Sequence, residues 1–83
     1  MSDVALVVRT ADKTRKAEIK LSRNNTGGDV MQAAVDNWKL PVDVDYSLVN
    51  TTTGSVISSG QVLSNVVVSD GDVLEVQPVL VAG

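Results

Sequence analysis

The first third of the chain carries the pattern of two β-strands. Residues 4–9 form an apolar run of strand length that is rich in β-branched side chains, and a short polar stretch follows. Residues 16–21 then alternate strictly between polar and apolar positions. Because successive side chains of a strand point to opposite faces, this alternation turns Ala17, Ile19 and Leu21 toward the core. The pattern predicts an opening β-hairpin.

A helix is predicted after the hairpin. Thr26 and Asp29 have the spacing of a capping box, in which the Thr hydroxyl and the carboxylate accept hydrogen bonds from free backbone N–H groups. Apolar residues then recur at intervals of three and four, which is typical of one buried helix face. The predicted members of this apolar stripe are Val30, Ala33, Ala34, Val35 or Met31, and Trp38. Pro41 disfavours helical geometry in the residue before it and is expected to end the helix.

The second half of the chain gives weaker signals for the remaining elements. Three further strands are predicted, at residues 46–50, 56–57 and 73–77. The alternation in the last of these buries Leu74 and Val76. Residues 61–65 predict a short turn of helix.

These elements predict an α+β fold of the β-grasp type. The order is hairpin, helix, two short strands and final strand, and a helix with one apolar stripe must pack on a sheet face to bury it. We therefore expect a mixed sheet of four to five strands with one helix packed across it. At 83 residues the chain is expected to form a single domain, with residues 79–83 a flexible C-terminal tail.

Composition narrows the possible functions. The chain has seventeen Val but no Cys and no His, which excludes disulfides, Cys or His nucleophiles and zinc sites built from these residues. We expect no enzymatic activity and no cofactor. The net charge is −3 and the chain has one Trp and one Tyr, so it lacks the excess of basic and aromatic residues that a nucleic-acid surface needs. With neither a signal-peptide pattern nor an apolar run of membrane-spanning length, we expect a cytoplasmic protein that does not contact membranes.

Charge is unevenly distributed along the chain. Through Thr26 there are six basic residues against three acidic ones, and beyond it Lys39 stands against seven acids. Lys16 and Lys20 could belong to a basic face that is offered to an acidic partner. They could also be solvated residues of an outer strand, where Lys discourages edge pairing, and we favour this second interpretation.

Two pairs of acidic residues have the spacing of chemical sites. Asp70 and Asp72 flank a glycine as in a calcium loop, but the further ligands of such a loop do not follow, and turn chemistry explains the pair better. Asp43 and Asp45 lie two apart on a predicted exposed strand face. We expect them to be solvated.

Several short motifs resemble ubiquitin and its prokaryotic ubiquitin-like relatives. Residues 40–43, Leu-Pro-Val-Asp, are similar to the Ile-Pro-Pro-Asp that follows the helix in ubiquitin, and residues 63–65, Leu-Ser-Asn, are similar to its Leu-Ser-Asp. Residues 71–76, Gly-Asp-Val-Leu-Glu-Val, also resemble ubiquitin-like accessory proteins of type VII secretion. The resemblance spans nearly the whole chain and implies the same β-grasp fold, on which many functions occur.

The end of the chain decides what the resemblance implies about conjugation. Gly83 falls where the terminal glycine of ubiquitin falls, so a modifier or sulfur carrier would be activated there. The family requires Gly-Gly at this point, and here Ala82 replaces the first glycine, which restricts the backbone. We therefore favour a non-catalytic protein-binding module over a modifier or sulfur carrier. The third hypothesis is a small accessory subunit of a larger enzyme or secretion assembly.

The resemblance also implies a candidate surface for a protein partner. The exposed apolar patch of ubiquitin corresponds here to Leu48 or Val49 and to Gln77, beside Glu75. One residue of the adjacent pair must point into the core, and both choices remain open. The tail contains three apolar residues, Val79, Leu80 and Val81. They either extend the last strand or insert into a partner's groove. We expect a monomer that binds another protein.

Overall fold

The strands form one mixed sheet with the helix on one face. The structure is a computed structural model that describes residues 3–64 and 66–79. Its elements are β1 (Asp3–Thr10), β2 (Lys16–Ser22), α1 (Gly27–Trp38), β3 (Tyr46–Asn50), β4 (Ser55–Ile57) and β5 (Val73–Pro78). The strand order is β2-β1-β5-β3-β4, in which β1 and β5 are parallel and the other pairs antiparallel. This five-stranded arrangement confirms the predicted architecture.

The core lies between the helix and the inner face of the sheet. Alternate residues of β1 and β5 point inward, as the period of two predicts, and Leu74 and Val76 are buried as expected. The buried apolar residues are Val4, Leu6, Val8, Val30, Ala34, Leu48, Ile57, Leu63, Val68, Leu74 and Val76. Ala17, Ile19 and Leu21 also face inward but are only half-buried, because β2 is an edge strand.

The predicted capping box begins the helix, and the helix ends before Pro41, as expected. The Thr26 hydroxyl accepts from the Asp29 N–H at 3.3 Å, and the Asp29 carboxylate accepts from the Thr26 N–H at 3.0 Å. The last helical residue is Trp38, and the C-cap residue Lys39 adopts a left-handed conformation with φ of 52° and donates its N–H to the Val35 carbonyl. The stripe prediction was wrong for Ala33, which is exposed because it borders an unfilled groove between α1 and the inner side of β1 and β2.

The predicted helical turn at residues 61–65 is wrong for the residues described there. Val62 instead forms an isolated antiparallel bridge with Thr26. The Gln61 carbonyl accepts from the Gly27 N–H at 3.0 Å, and the Leu63 N–H donates to the Asn25 carbonyl at 2.9 Å. These bonds hold the segment extended along the start of the helix, so its backbone groups are not free for a helical turn.

A buried polar cluster fixes the loop before β5. Asn50, which is fully buried, donates to the Asp72 carboxylate at 2.9 Å, and the same oxygen accepts from the Ser69 N–H at 2.8 Å. The Asp70 carboxylate accepts from the Ala5 N–H at 2.9 Å. Asp70 and Asp72 therefore serve the turn, which agrees with the turn interpretation of these residues.

The β1–β2 turn is closed around the Asp12 carboxylate. Its Oδ1 atom accepts from the Thr10 hydroxyl at 2.6 Å, the Thr14 hydroxyl at 2.7 Å and the Thr14 N–H at 3.0 Å. These hydrogen bonds, the Thr10 hydroxyl foremost, favour the charged form and lower the pKa of Asp12 to about 2.

Replacing the turn hydroxyls is expected to raise the pKa of Asp12. Thr10→Val should raise the pKa more than Thr14→Val, because residue 14 still donates its backbone N–H to Asp12 when its hydroxyl is removed. A carboxyl NMR titration checks both values. Because the folded pKa is depressed, the ionised turn stabilises the fold above roughly pH 4, and this contribution is lost as the pH falls toward 2. An unchanged pKa in Thr10→Val would contradict the assignment.

Gly27→Ala is expected to destabilise the fold by about 1–3 kcal/mol, because an added methyl group must be accommodated in a closely packed site. A Cβ at Gly27 would lie 2.5 Å from the Ser58 carbonyl oxygen and 2.9 Å from the Ile57 side chain. Gly60→Ala is the matched control, since a Cβ there meets nothing within 4 Å, and it should change stability by less than about 0.5 kcal/mol. Urea unfolding measures the stability of both variants. Equal stabilities of Gly27→Ala and Gly60→Ala would show that the Ser58 carbonyl does not lie close to Gly27.

Candidate protein-binding surface

The face of the sheet opposite the helix carries the candidate site. The strand registers place one residue of each strand in a row across this outer face. From β2 to β4 the row is Lys16, Arg9, Glu75, Val49 and Val56. The candidate surface is therefore built from residues that are distant in sequence and adjacent only through strand pairing.

An ion pair between β1 and β5 occupies the centre of this row. The Glu75 Oε2 atom accepts from Arg9 Nη2 at 3.1 Å and from Arg9 Nε at 3.4 Å. The Arg9 side chain is 26% exposed and that of Glu75 is 11% exposed. The Glu75 carboxylate is largely removed from water. Burying its charge would be unfavourable without the Arg9 guanidinium beside it.

Four valines surround this ion pair on the outer face. Val7 and Val73 are register partners, and so are Val49 and Val56. Val56 is 68% exposed, and the other three are half-buried. We call Val7, Val49, Val56 and Val73, together with Arg9 and Glu75, the outer-face patch. Sequence reasoning singled out only Val49 and Glu75, although Val7 and Val73 share the parity of Arg9 and Glu75 along their strands and could have been found by it.

The structure separates the two adjacent candidates on β3. Leu48 is fully buried in the core between the sheet and the helix, so it offers no surface to a partner. Val49 points to the outer face beside Glu75, and Gln77 lies half-buried on the same face opposite Ser47. The alternation of the strand thus assigns Leu48 to the core and leaves Val49 and Gln77 at the candidate surface.

The remaining candidate residues lie apart from the patch centre. Lys16 is exposed at the β2 end of the outer-face row, opposite Arg9, whereas Lys20 is exposed four residues further along β2, opposite Ala5. Both lie three strand spacings, about 14 Å at roughly 4.8 Å each, from the strand that carries Val49. Val79 is 41% exposed and donates its N–H to the Asp45 carbonyl at 2.8 Å. The predictions for Leu80, Val81, Ala82 and Gly83 fall outside the described residues.

Neither a metal centre nor a membrane-spanning helix is found in the part of the chain that the structure describes. Within residues 3–64 and 66–79, no group of three or more His, Cys, Asp or Glu side chains is placed to hold a metal ion. In the same residues, no helix has the length and apolar character needed to cross a membrane.

Comparison with solved structures places the fold. A ubiquitin from Caldiarchaeum subterraneum superimposes with a TM-score of 0.77 at 23% identity, over 99% of this chain and 100% of that one. A designed protein based on ubiquitin gives a TM-score of 0.76 at 14% identity, over 99% of this chain and 96% of the design. No family model and no curated protein matched the sequence. The protein has a ubiquitin-like β-grasp fold, as the sequence motifs suggested.

Removing one side chain of the ion pair should lower the free energy of unfolding more than replacing both side chains. Arg9→Met leaves the Glu75 carboxylate buried without a cation, and we expect a loss of about 1–3 kcal/mol in unfolding free energy. Adding Glu75→Gln in the same chain should recover part of that loss, because the amide carries no net charge. Urea unfolding of both single variants and the double variant measures the coupling, and strictly additive losses would show that the two side chains do not interact.

Proposed function

We propose that this domain is a non-catalytic, cytoplasmic protein-binding module that contacts its partner through the outer-face patch. The observation that carries the proposal is the cluster of four valines around the Arg9–Glu75 pair, on the sheet face that the helix does not cover. Protein-binding surfaces combine exposed apolar side chains with polar groups, and this patch has both.

The proposed contact has an apolar and a polar component. A partner that covers Val56 removes a two-thirds exposed side chain from water, which is worth about 1–2 kcal/mol. Arg9 gives two of its five N–H groups to Glu75, and the guanidinium can donate others to carbonyl or carboxylate oxygens of the partner. The complementary surface is therefore apolar with hydrogen-bond acceptors placed over Arg9.

The polar residues of the patch also limit which partners fit. Gln77 lies on the same face as Val49 and Glu75. A wholly apolar surface, such as one that recognises the apolar patch of ubiquitin, would bury the Gln77 amide and the exposed part of Arg9 without hydrogen bonds. The partner of this domain is therefore expected to differ from ubiquitin-binding proteins.

The proposal is tested with two charge insertions at exposed valines. Val56→Lys places a charge in the patch, whereas Val42→Lys makes the same exchange at an 87% exposed residue of the α1–β3 loop. Proteins retained by the immobilised wild-type domain from native extract are identified, and their affinities for all three forms are measured. A true partner should lose at least about fivefold in affinity for Val56→Lys and none for Val42→Lys.

Two outcomes would count against this function. Partners whose affinity is unchanged by Val56→Lys do not bind through the outer-face patch. A Gly83 adenylate, thiocarboxylate or isopeptide product, formed with ATP and an activating enzyme, would instead establish the modifier or sulfur-carrier hypothesis. An accessory role predicts that the chain elutes from native size exclusion together with a catalytic protein.

A further inference from the structure

β2 is an edge strand whose outward backbone groups are available for pairing. Thr10 donates its N–H to the Arg15 carbonyl at 3.0 Å, so these opposed residues form a hydrogen-bonded pair. Hydrogen-bonded and non-hydrogen-bonded pairs alternate along an antiparallel ladder, which directs the backbone groups of Ala17, Ile19 and Leu21 toward β1. The backbone groups of the alternate residues point away from the sheet, where no other strand of residues 3–64 and 66–79 pairs with them, and these residues are Lys16, Glu18, Lys20 and Ser22.

An apolar groove opens beside this edge. It has a volume of about 390 Å³ and lies between α1 and the inner side of β1 and β2. Small side chains from both elements, including Ala17 and Ala33, leave the space, and Ile19 and Trp38 also line it. The apolar side of β2 is therefore incompletely covered by the chain's own helix.

The sequence of β2 is complementary to itself in one register. When two copies pair antiparallel about Ile19, every residue of the strand has a partner, and Glu18 lies opposite Lys20 at two symmetric positions. Ile19 then faces Ile19, and the outward backbone groups are those that form the hydrogen-bonded pairs.

Other registers are less favourable. Centring the pair on Glu18 opposes Glu18 to itself and Lys16 to Lys20, which places like charges together. Centring it on Ala17 pairs unlike charges but leaves residues 19–22 beyond the overlap of the two strands. The charge pattern and the strand length therefore favour the register about Ile19.

We propose that β2 pairs with β2 of a second copy of this chain about Ile19, which joins the two sheets edge to edge. The contact is two-fold symmetric, forms two Glu18–Lys20 pairs and brings the apolar grooves of both copies together. It replaces our expectation of a monomer and gives Lys16 and Lys20 a role different from both interpretations of the sequence. The outer-face patch is left open, so this inference does not rest on the proposed function.

A charge-swap experiment tests the pairing. In a Glu18→Lys homodimer the introduced lysines would oppose Lys20, and in a Lys20→Glu homodimer the introduced glutamates would oppose Glu18. Each variant should therefore self-associate at least about tenfold more weakly than wild type. In an equimolar mixture of the two variants, positions 18 and 20 are both lysine in one chain and both glutamate in the other, so the heterodimer restores two attractive pairs. The double variant Glu18→Lys/Lys20→Glu also restores both attractive pairs.

Sedimentation velocity up to about 1 mM measures the association of all four forms. The wild type and the double variant should form dimers, whereas the two single variants should stay monomeric. Asp43→Lys is the control, because it makes the same charge change as Glu18→Lys at an exposed loop residue and should dimerise like the wild type.

Three outcomes overturn the proposal. One is a wild type that stays monomeric to about 1 mM. Another is a folded double variant that associates no better than the single variants. The third is association with an added acidic, apolar peptide but not between copies, which would assign this edge to a different protein.

Cysteine crosslinking tests the register directly. The chain contains no Cys, and the symmetric centre places Ile19 of the two copies directly opposite each other at a distance suited to a disulfide. Mild oxidation of Ile19→Cys should give a covalent dimer. Ala17→Cys should crosslink efficiently only when mixed with Leu21→Cys. Equal self-crosslinking of Ile19→Cys and Ala17→Cys would contradict the register.

Discussion

The parallel pairing of β1 with β5 is the contact on which the rest of the structure depends. It joins the beginning of the described chain to its end, with Val7 opposite Val73 and Thr10 opposite Val76. The inner side chains of these strands supply much of the surface on which the helix packs. Once the two strands are central, β2 can only lie outside β1, and β3 can only lie outside β5. The same pairing brings Arg9 and Glu75 together on the opposite face.

Features set by local pattern and the β-grasp architecture were predictable, whereas individual contacts that depend on strand register were not. The alternation of β2 and the Thr26 capping box are readable because their causes lie within a few residues. The extended path at Val62 depends on a bridge to Thr26. The burial of Glu75 depends on Arg9, 66 residues away. For the candidate surface, the sequence left Leu48 and Val49 undecided, because only strand register shows which of two adjacent apolar residues faces the helix.

The two proposed contact regions use different physical means. At the outer-face patch, valines supply the contact area and a single ion pair makes it selective, since an ill-matched partner would strip water from Arg9 without replacing its hydrogen bonds. At the β2 edge, backbone hydrogen bonds supply the attraction and the alternating charges determine the alignment. Because one region lies on a sheet face and the other on a sheet edge, occupying one leaves the other accessible.

The unequal lengths of the two sheet edges have a consequence for assembly. β2 has seven residues, whereas β4, at the far side of the sheet, has three. A sheet with two long unpaired edges would add subunits without limit and grow into a fibre. Here a strand docked on β4 would find only a short length of backbone, so polymerisation has no second growing end. The short β4 therefore protects a valine-rich protein from open-ended aggregation.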